Sequence, residues 1–151
     1  MKKKVMDYDL DYPGDDGLEH YQGSPFTGIS VHHHNELDSE QEYRDGLLWG
    51  KSRTWAYGKL WKEEDFLMGI PHGSQKVWHQ NGQLAEQAEV EVGRYVTRRR
   101  WDEEGNLVED YKVEEDPEGL RILQKQWKRL APYIEHAQEQ PPLPEDASGQ
   151  E

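Results

Sequence analysis

Three consecutive histidines, His32, His33 and His34, are the side chains of this sequence most suited to chemistry, because neutral imidazole binds zinc-like ions and serves as a base near neutral pH. In an extended strand side chains alternate, so His32 and His34 share one face and His33 takes the other. Two imidazoles converge and a third does not, and no Asp, Glu or further His is spaced to complete a shell. No metal site is expected. The acidic triplet Asp7, Asp9 and Asp11 has the opening rhythm of a calcium loop, but Tyr12 stands where the sixth position needs Gly and Leu18 where the twelfth needs Glu. There is no cysteine for a thiolate ligand, nucleophile or disulfide. A Gly-rich phosphate cradle, a nucleophile elbow and an anchored His, Asp and Ser grouping are all missing as well. With 31 acidic residues, neighbouring carboxylates carry no information by themselves. The expectation is a protein without catalysis and without a cofactor, whose work is binding.

The elements that hold these side chains are repeated. Trp55, Trp78 and Trp101 recur at one interval of 23 residues, and each is followed by a Gly and a Leu (Gly58 and Leu60, Gly82 and Leu84, Gly105 and Leu107). A weaker copy starts at Gly28, with His33 at the Trp position, then Leu37, Tyr43 and Gly46. Two strands joined by the loop Gln80, Asn81 and Gly82 place Trp78 opposite Leu84. The shorter loop Tyr57 and Gly58 still sets Trp55 against Leu60, and Glu103 to Gly105 sets Trp101 against Leu107. Strict alternation then puts Phe66, Ala88, Val90, Tyr111 and Val113 on the Trp face. Glu63, Asp65, Gln87, Glu89, Asp110 and Lys112 fall on the other, with Trp61 opposite Leu60. The joints repeat too: Gly46 to Gly50, Gly69 to Gly73, and a third from Gly93 in which Thr97 replaces the second glycine, expected to be less regular. One hairpin with such a face is marginal in water, so neighbours pair into one elongated, single-layer antiparallel sheet.

Only 33% of residues are hydrophobic and 32% are charged, so the core is thin and the 6 Trp and 8 Tyr supply its area. The net charge of -13 excludes nucleic acid and disfavours an anionic membrane as partner, and favours a basic protein. Neither a signal peptide nor a membrane span is read, which with the absent cysteine fits a cytoplasmic location. Arg94, Arg98, Arg99 and Arg100 read as a solvated strand face, or else as a contact for an acidic neighbour, the chain's own tail included.

The segments YQGSPFTG, YRDGLLWG, WHQNGQL and WDEEGNLVED, between Tyr21 and Lys112, resemble the bacterial MORN-repeat variant family of antitoxin-like proteins. The resemblance implies a run of antiparallel hairpins, no catalysis, and binding to another protein, often a toxin encoded nearby.

The organisation expected is N-terminal strands and cap over 1–22, hairpin repeats over 23–113 (about 28–49, 50–72, 73–95 and 96–113), a helix over 114–137 and a disordered acidic tail over 138–151. Alternation of Tyr8, Leu10 and Tyr12 with Asp7, Asp9 and Asp11 reads as a strand. Asp116 and Pro117 open the helix, its stripe Leu120, Leu123, Trp127, Leu130 and Ile134 packs on the sheet or docks a partner, and Pro132 breaks or kinks it. Candidate partner-binding residues are Trp49, Trp61, Glu63, Asp65 and Glu89. Two functions follow: an antitoxin or immunity protein covering a basic, nucleic-acid-processing toxin, or a structural scaffold whose open edges or helix join copies into a homo-oligomer.

Overall fold

The computed structural model describes residues 2–11 and 15–141. Eight strands form four consecutive hairpins: β4 (Gly28–His34) with β5 (Leu37–Arg44), β6 (Leu47–Ala56) with β7 (Lys59–Leu67), β8 (Ile70–Trp78) with β9 (Leu84–Glu91), and β10 (Arg94–Trp101) with β11 (Leu107–Lys112). Each hairpin pairs antiparallel with the next. A short strand β1 (Lys4–Met6) completes a nine-stranded open sheet by pairing parallel to β4. A small hairpin of β2 (His20–Tyr21) and β3 (Ser24–Pro25) forms a separate sheet held to the first turn, where the Gly46 N–H donates to the Phe26 carbonyl (2.8 Å), and one helix, α1 (Pro117–Gln138), packs on the large sheet. Among the described residues no helix is long and apolar enough to cross a membrane.

The Trp to Leu pairs form in the expected register: Trp55 faces Leu60, Trp78 faces Leu84 and Trp101 faces Leu107. The two-faced pattern beyond them does not. Beside each pair the second strand carries one extra residue, so that Thr54 faces Lys62, Val77 faces Glu86 and Arg100 faces Glu109. A bulge of this kind reverses the phase of alternation. Phe66 therefore lies opposite Gly50, Ala88 opposite Gln75, Val90 opposite Gly73 and Tyr111 opposite Arg98, on the face away from the tryptophans. The Trp face instead receives Glu63 and Asp65 opposite Arg53 and Lys51, Gln87 and Glu89 opposite Lys76 and Ser74, and Asp110 and Lys112 opposite Arg99 and Thr97.

The joints are bulged as well. Residues 49–51 stand against Glu42 alone and residues 72–74 against Asp65 alone. Gly50 and Gly73 are needed there, since a Cβ would come within 2.7 Å of the Glu42 or Asp65 carboxylate. In the third joint, which lacks the second glycine, a single residue, Val96, is left over. The joint glycines stitch the row of turns together: the Gly69 N–H donates to the Leu48 carbonyl (2.8 Å) and the Gly93 N–H to the Pro71 carbonyl (2.9 Å).

Helix α1 lies along this row of turns. Asp116 caps it, accepting from the Gly119 N–H (3.1 Å) and from the Tyr111 hydroxyl (2.8 Å), and Pro117 takes the first turn. Val92, Val113, Leu123 and Ile134 form the core, with Leu67, Met68, Trp127 and Leu130 packed around them. The Trp127 indole N–H donates to Glu91 (2.6 Å) and its ring meets the His72 edge at 5.5 Å. A helix of 22 residues is about 33 Å long, close to the roughly 29 Å spanned by three hairpin repeats at two interstrand spacings each. Pro132 does not end the helix, which continues to Gln138; the residue is exposed, so the Lys128 carbonyl it leaves without an amide partner is available to water. The stretch Asp7–Asp9, read as strand, is a single 3-10 turn closed by the Leu10 N–H on the Asp7 carbonyl (3.1 Å). The partnered strand is Lys4–Met6, whose Val5 is buried, whereas Tyr8 projects into solvent. The turn residues Tyr12 to Gly14 and the tail beyond Pro141 lie outside the described residues.

Candidate functional site

The end of the sheet away from α1 is built from four hairpin loops held side by side. The Tyr57 N–H donates to the Glu36 carbonyl (2.9 Å), Lys59 Nζ reaches the Gln80 carbonyl (3.4 Å), His79 Nε2 meets the Trp101 carbonyl (2.8 Å) and the Asn81 amide donates to the Glu103 carbonyl (3.0 Å). Between the first three loops runs a groove of about 460 Å3 lined by Leu37, Ala56, Tyr57, Lys59, Leu60, Trp61, Trp78, His79 and Gln80. The bulge that follows Leu60 explains how it forms. Trp61 is the extra residue, and it lines the same groove as Leu60 instead of pointing through the sheet. It remains 44% exposed, and Tyr57 67%.

Tyr57 is conspicuous for its backbone. Among the described residues six non-glycine residues hold a positive φ: Gln22, Asn35, Asp45, Tyr57, Met68 and Val92. Asn and Asp tolerate that region, and Met68 and Val92 are held under α1, so packing offsets their strain. Gln22 is in the small β2–β3 turn. Tyr57, at φ 53°, has neither excuse: a bulky aromatic sits strained and mostly in water. Residues kept in such a conformation without packing gain cluster at binding and catalytic positions.

Carboxylates gather in the outer two loops of this end, the first and the fourth, and none lines the groove itself. Glu36, Asp102, Glu103 and Glu104 all lie in these loops, and among the described residues none has a Lys or Arg within ion-pair distance. Asp102 accepts from the Asn106 N–H (2.9 Å) and the Glu104 N–H (3.0 Å), and these hydrogen bonds, that from Asn106 first, hold its carboxyl below the usual carboxylate range. Lys59 is the one Lys or Arg lining the groove. In the middle of the sheet, by contrast, cations are consumed by neighbours. Arg53 pairs with Glu63 (2.7 Å), Lys51 with Asp65 (2.6 Å), Arg98 with Glu86 (2.6 Å) and Arg99 with Asp110 (3.3 Å). The arginines at 98 and 99 thus meet acidic strand neighbours.

The five residues expected to bind a partner are not brought together. Trp61 lines the loop-end groove. Glu63 and Asp65 are neutralised within the sheet, and Asp65 also accepts from the Ser74 N–H (2.8 Å). Glu89 is exposed between Ser74 and Thr97. Trp49 sits at the opposite end of the sheet, with the Arg44 guanidinium 5.0 Å above its ring. Sequence reasoning missed Tyr57, although the loop shortened to Tyr57 and Gly58 was its signal: a two-residue loop forces a positive φ on the residue before the glycine.

His32 Nδ1 lies 2.7 Å from Asp7 and His33 Nδ1 lies 2.5 Å from Asp38, while the His32 and His34 rings are 6.2 Å apart on the other face from His33. Among the described residues no three His, Asp or Glu side chains gather as metal ligands. No protein-family model matches the chain, and neither curated proteins nor solved structures gave a match.

Proposed function

We propose that this chain is a non-catalytic protein-binding module of the antitoxin or immunity type, acting in the cytoplasm and covering the basic surface of a toxin encoded nearby. The observation that carries the reading is the loop end, where a strained, exposed Tyr57 lies beside Trp61 and Trp78, with Glu36 in the first loop and Asp102, Glu103 and Glu104 in the fourth left without a Lys or Arg partner among the described residues. Aromatic side chains in a groove are the usual anchors of a protein interface, and surplus negative charge around them speeds encounter with a basic partner. The likeness of the repeats to MORN-repeat variants supports the same reading.

The test is binding between the purified chain and the basic protein encoded beside it, measured by calorimetry at low and at physiological salt. Tight binding that weakens with salt is expected, with Tyr57→Ala and Trp61→Ala each losing at least about tenfold, which is roughly 1.4 kcal/mol. Glu103→Gln with Glu104→Gln slows association more than it speeds release. Failure to bind any such neighbour at low salt rejects the proposal.

A further inference from the structure

Three aromatic rings of this chain carry a cation of its own. Lys3 Nζ lies 4.4 Å from the centre of the Tyr21 ring, the Arg44 guanidinium 5.0 Å from that of Trp49 and the Arg98 guanidinium 4.7 Å from that of Tyr95. The rings of Tyr57, Trp61 and Trp78 line one groove, and among the described residues no cation stands over any of them and none stacks on another ring. Lys59 is close enough to serve, but its ammonium donates to the Gln80 carbonyl (3.4 Å).

The face of an aromatic ring is electronegative and attracts a cation within about 6 Å of its centre. The loops on either side reinforce that attraction. Glu36 is in the loop beside Tyr57, whose N–H donates to the Glu36 carbonyl (2.9 Å), and Asp102, Glu103 and Glu104 are in the fourth loop. These carboxylates raise the local concentration of cations without entering the groove. We propose that the groove is a cation–π site and that its occupant is an arginine side chain of the protein partner, with the guanidinium held by the rings of Tyr57, Trp61 and Trp78. This rests on the reading of the loop end as the partner-binding surface and names the group that surface takes. Arginine is favoured over lysine because no carboxylate lines the groove, so the entering cation sheds water without an ion pair in return. A strongly hydrated ammonium loses more by this than a guanidinium, whose flat face also stacks on an indole while its edge keeps its N–H donors free. The left-handed backbone of Tyr57, at φ 53°, is then the strain accepted for placing a third ring at the groove.

The experiment titrates the full chain, labelled with nitrogen-15, with N-acetyl-arginine amide, with its uncharged near-isostere N-acetyl-citrulline amide, and with N-acetyl-lysine amide. The Trp61 and Trp78 indole signals are identified from Trp61→Phe and Trp78→Phe. The arginine probe is expected to shift both indoles with a Kd in the millimolar range, at least about fivefold tighter than citrulline and measurably tighter than lysine. Trp61→Leu and Tyr57→Leu, which keep apolar surface but remove a ring, weaken the arginine probe by about threefold or more, with the Val92 and Ile134 amides unmoved to show that the fold is intact. Arginine and citrulline binding alike overturns the proposal, because the groove then reads shape and not charge. So do indoles left unmoved by arginine, and leucine variants that bind it as well as the natural chain does. Lysine binding as tightly as arginine overturns the assignment to a guanidinium. If the basic protein encoded nearby binds while the arginine probe does not, the antitoxin reading stands and this proposal falls; if the probe binds and no such protein does, the site stands and that reading falls.

Discussion

Replacing Val92 and Tyr57 by glycine, one at a time, isolates what the helix contributes to the sheet. Both residues occupy the same position of a two-residue turn, each followed by a glycine, with φ of 45° at Val92 and 53° at Tyr57. Left-handed backbone costs a side-chain-bearing residue about 1–2 kcal/mol, and glycine removes that cost while adding about 0.5–1 kcal/mol of unfolded-state entropy. These two effects are common to both sites and cancel in the comparison. What differs is burial. Val92 is 1% exposed under Leu123 and Ile134, so losing three carbons removes about 2–3 kcal/mol. Tyr57 keeps only about a third of its surface covered, worth about 1 kcal/mol. Val92→Gly is therefore expected to destabilise by about 1–2 kcal/mol and Tyr57→Gly to leave stability nearly unchanged. Urea unfolding followed by circular dichroism measures both without relying on the tryptophans beside Tyr57. Equal midpoint shifts for the two variants refute the placement of α1 over the row of turns.

Two further variants probe the same architecture. Ile134→Ala, at 0% exposure, is expected to cost about 2–4 kcal/mol in urea unfolding, against less than about 1 kcal/mol for Leu107→Ala on the edge strand, where the side chain is 52% exposed. Asp116 is held below the usual carboxylate range by the Gly119 N–H and then by the Tyr111 hydroxyl. A lowered folded-state pKa gives stability that is full above the unfolded value near about 3.9 and is lost as pH falls through the folded one. Asp116→Asn, which keeps a capping oxygen but not the charge, should be less stable than the natural chain at pH 7, with the difference shrinking as pH falls below about 4, measured by urea unfolding at both pH values.

Much of this fold could be read from residue spacing, and the failures fall where bulges, pairings distant in sequence or helix packing decide. The Trp to Leu register and the capped C-terminal helix depend on residues close in sequence, whereas the joints Gly46–Gly50 and Gly69–Gly73, expected as turns, turn only at Asp45–Gly46 and Met68–Gly69 and continue as strand from Leu47 and Ile70. Glycines, loop lengths and the Asp116–Pro117 pair report such local geometry directly. The face assignment of Phe66, Ala88, Val90 and Tyr111 failed because a bulge after each Leu changes the alternation, and no residue type at Trp61, Ala85 or Val108 advertises it. The same bulge hid the loop-end groove, by sending Trp61 to the side of Leu60. The parallel pairing of Lys4–Met6 with β4 joins segments about 25 residues apart, and the alternation of tyrosines with aspartates nearby imitated a strand that has no neighbour to pair with. Pro132 was expected to break the helix, but it sits on the exposed side of a helix anchored by Ile134 and Ala137 beyond it.

A row of identical rungs normally comes apart piecemeal, because each rung is acquainted only with those beside it and the outermost can peel away while the rest stand. Here one splint runs across the turns of the last hairpins to the side of Trp49, and it is fixed at both extremities. Detaching it withdraws cover from Met68, Val92 and Val113 at once, so damage in the final rung is felt several rungs away. The array is thereby converted from a zipper into a single cooperative body.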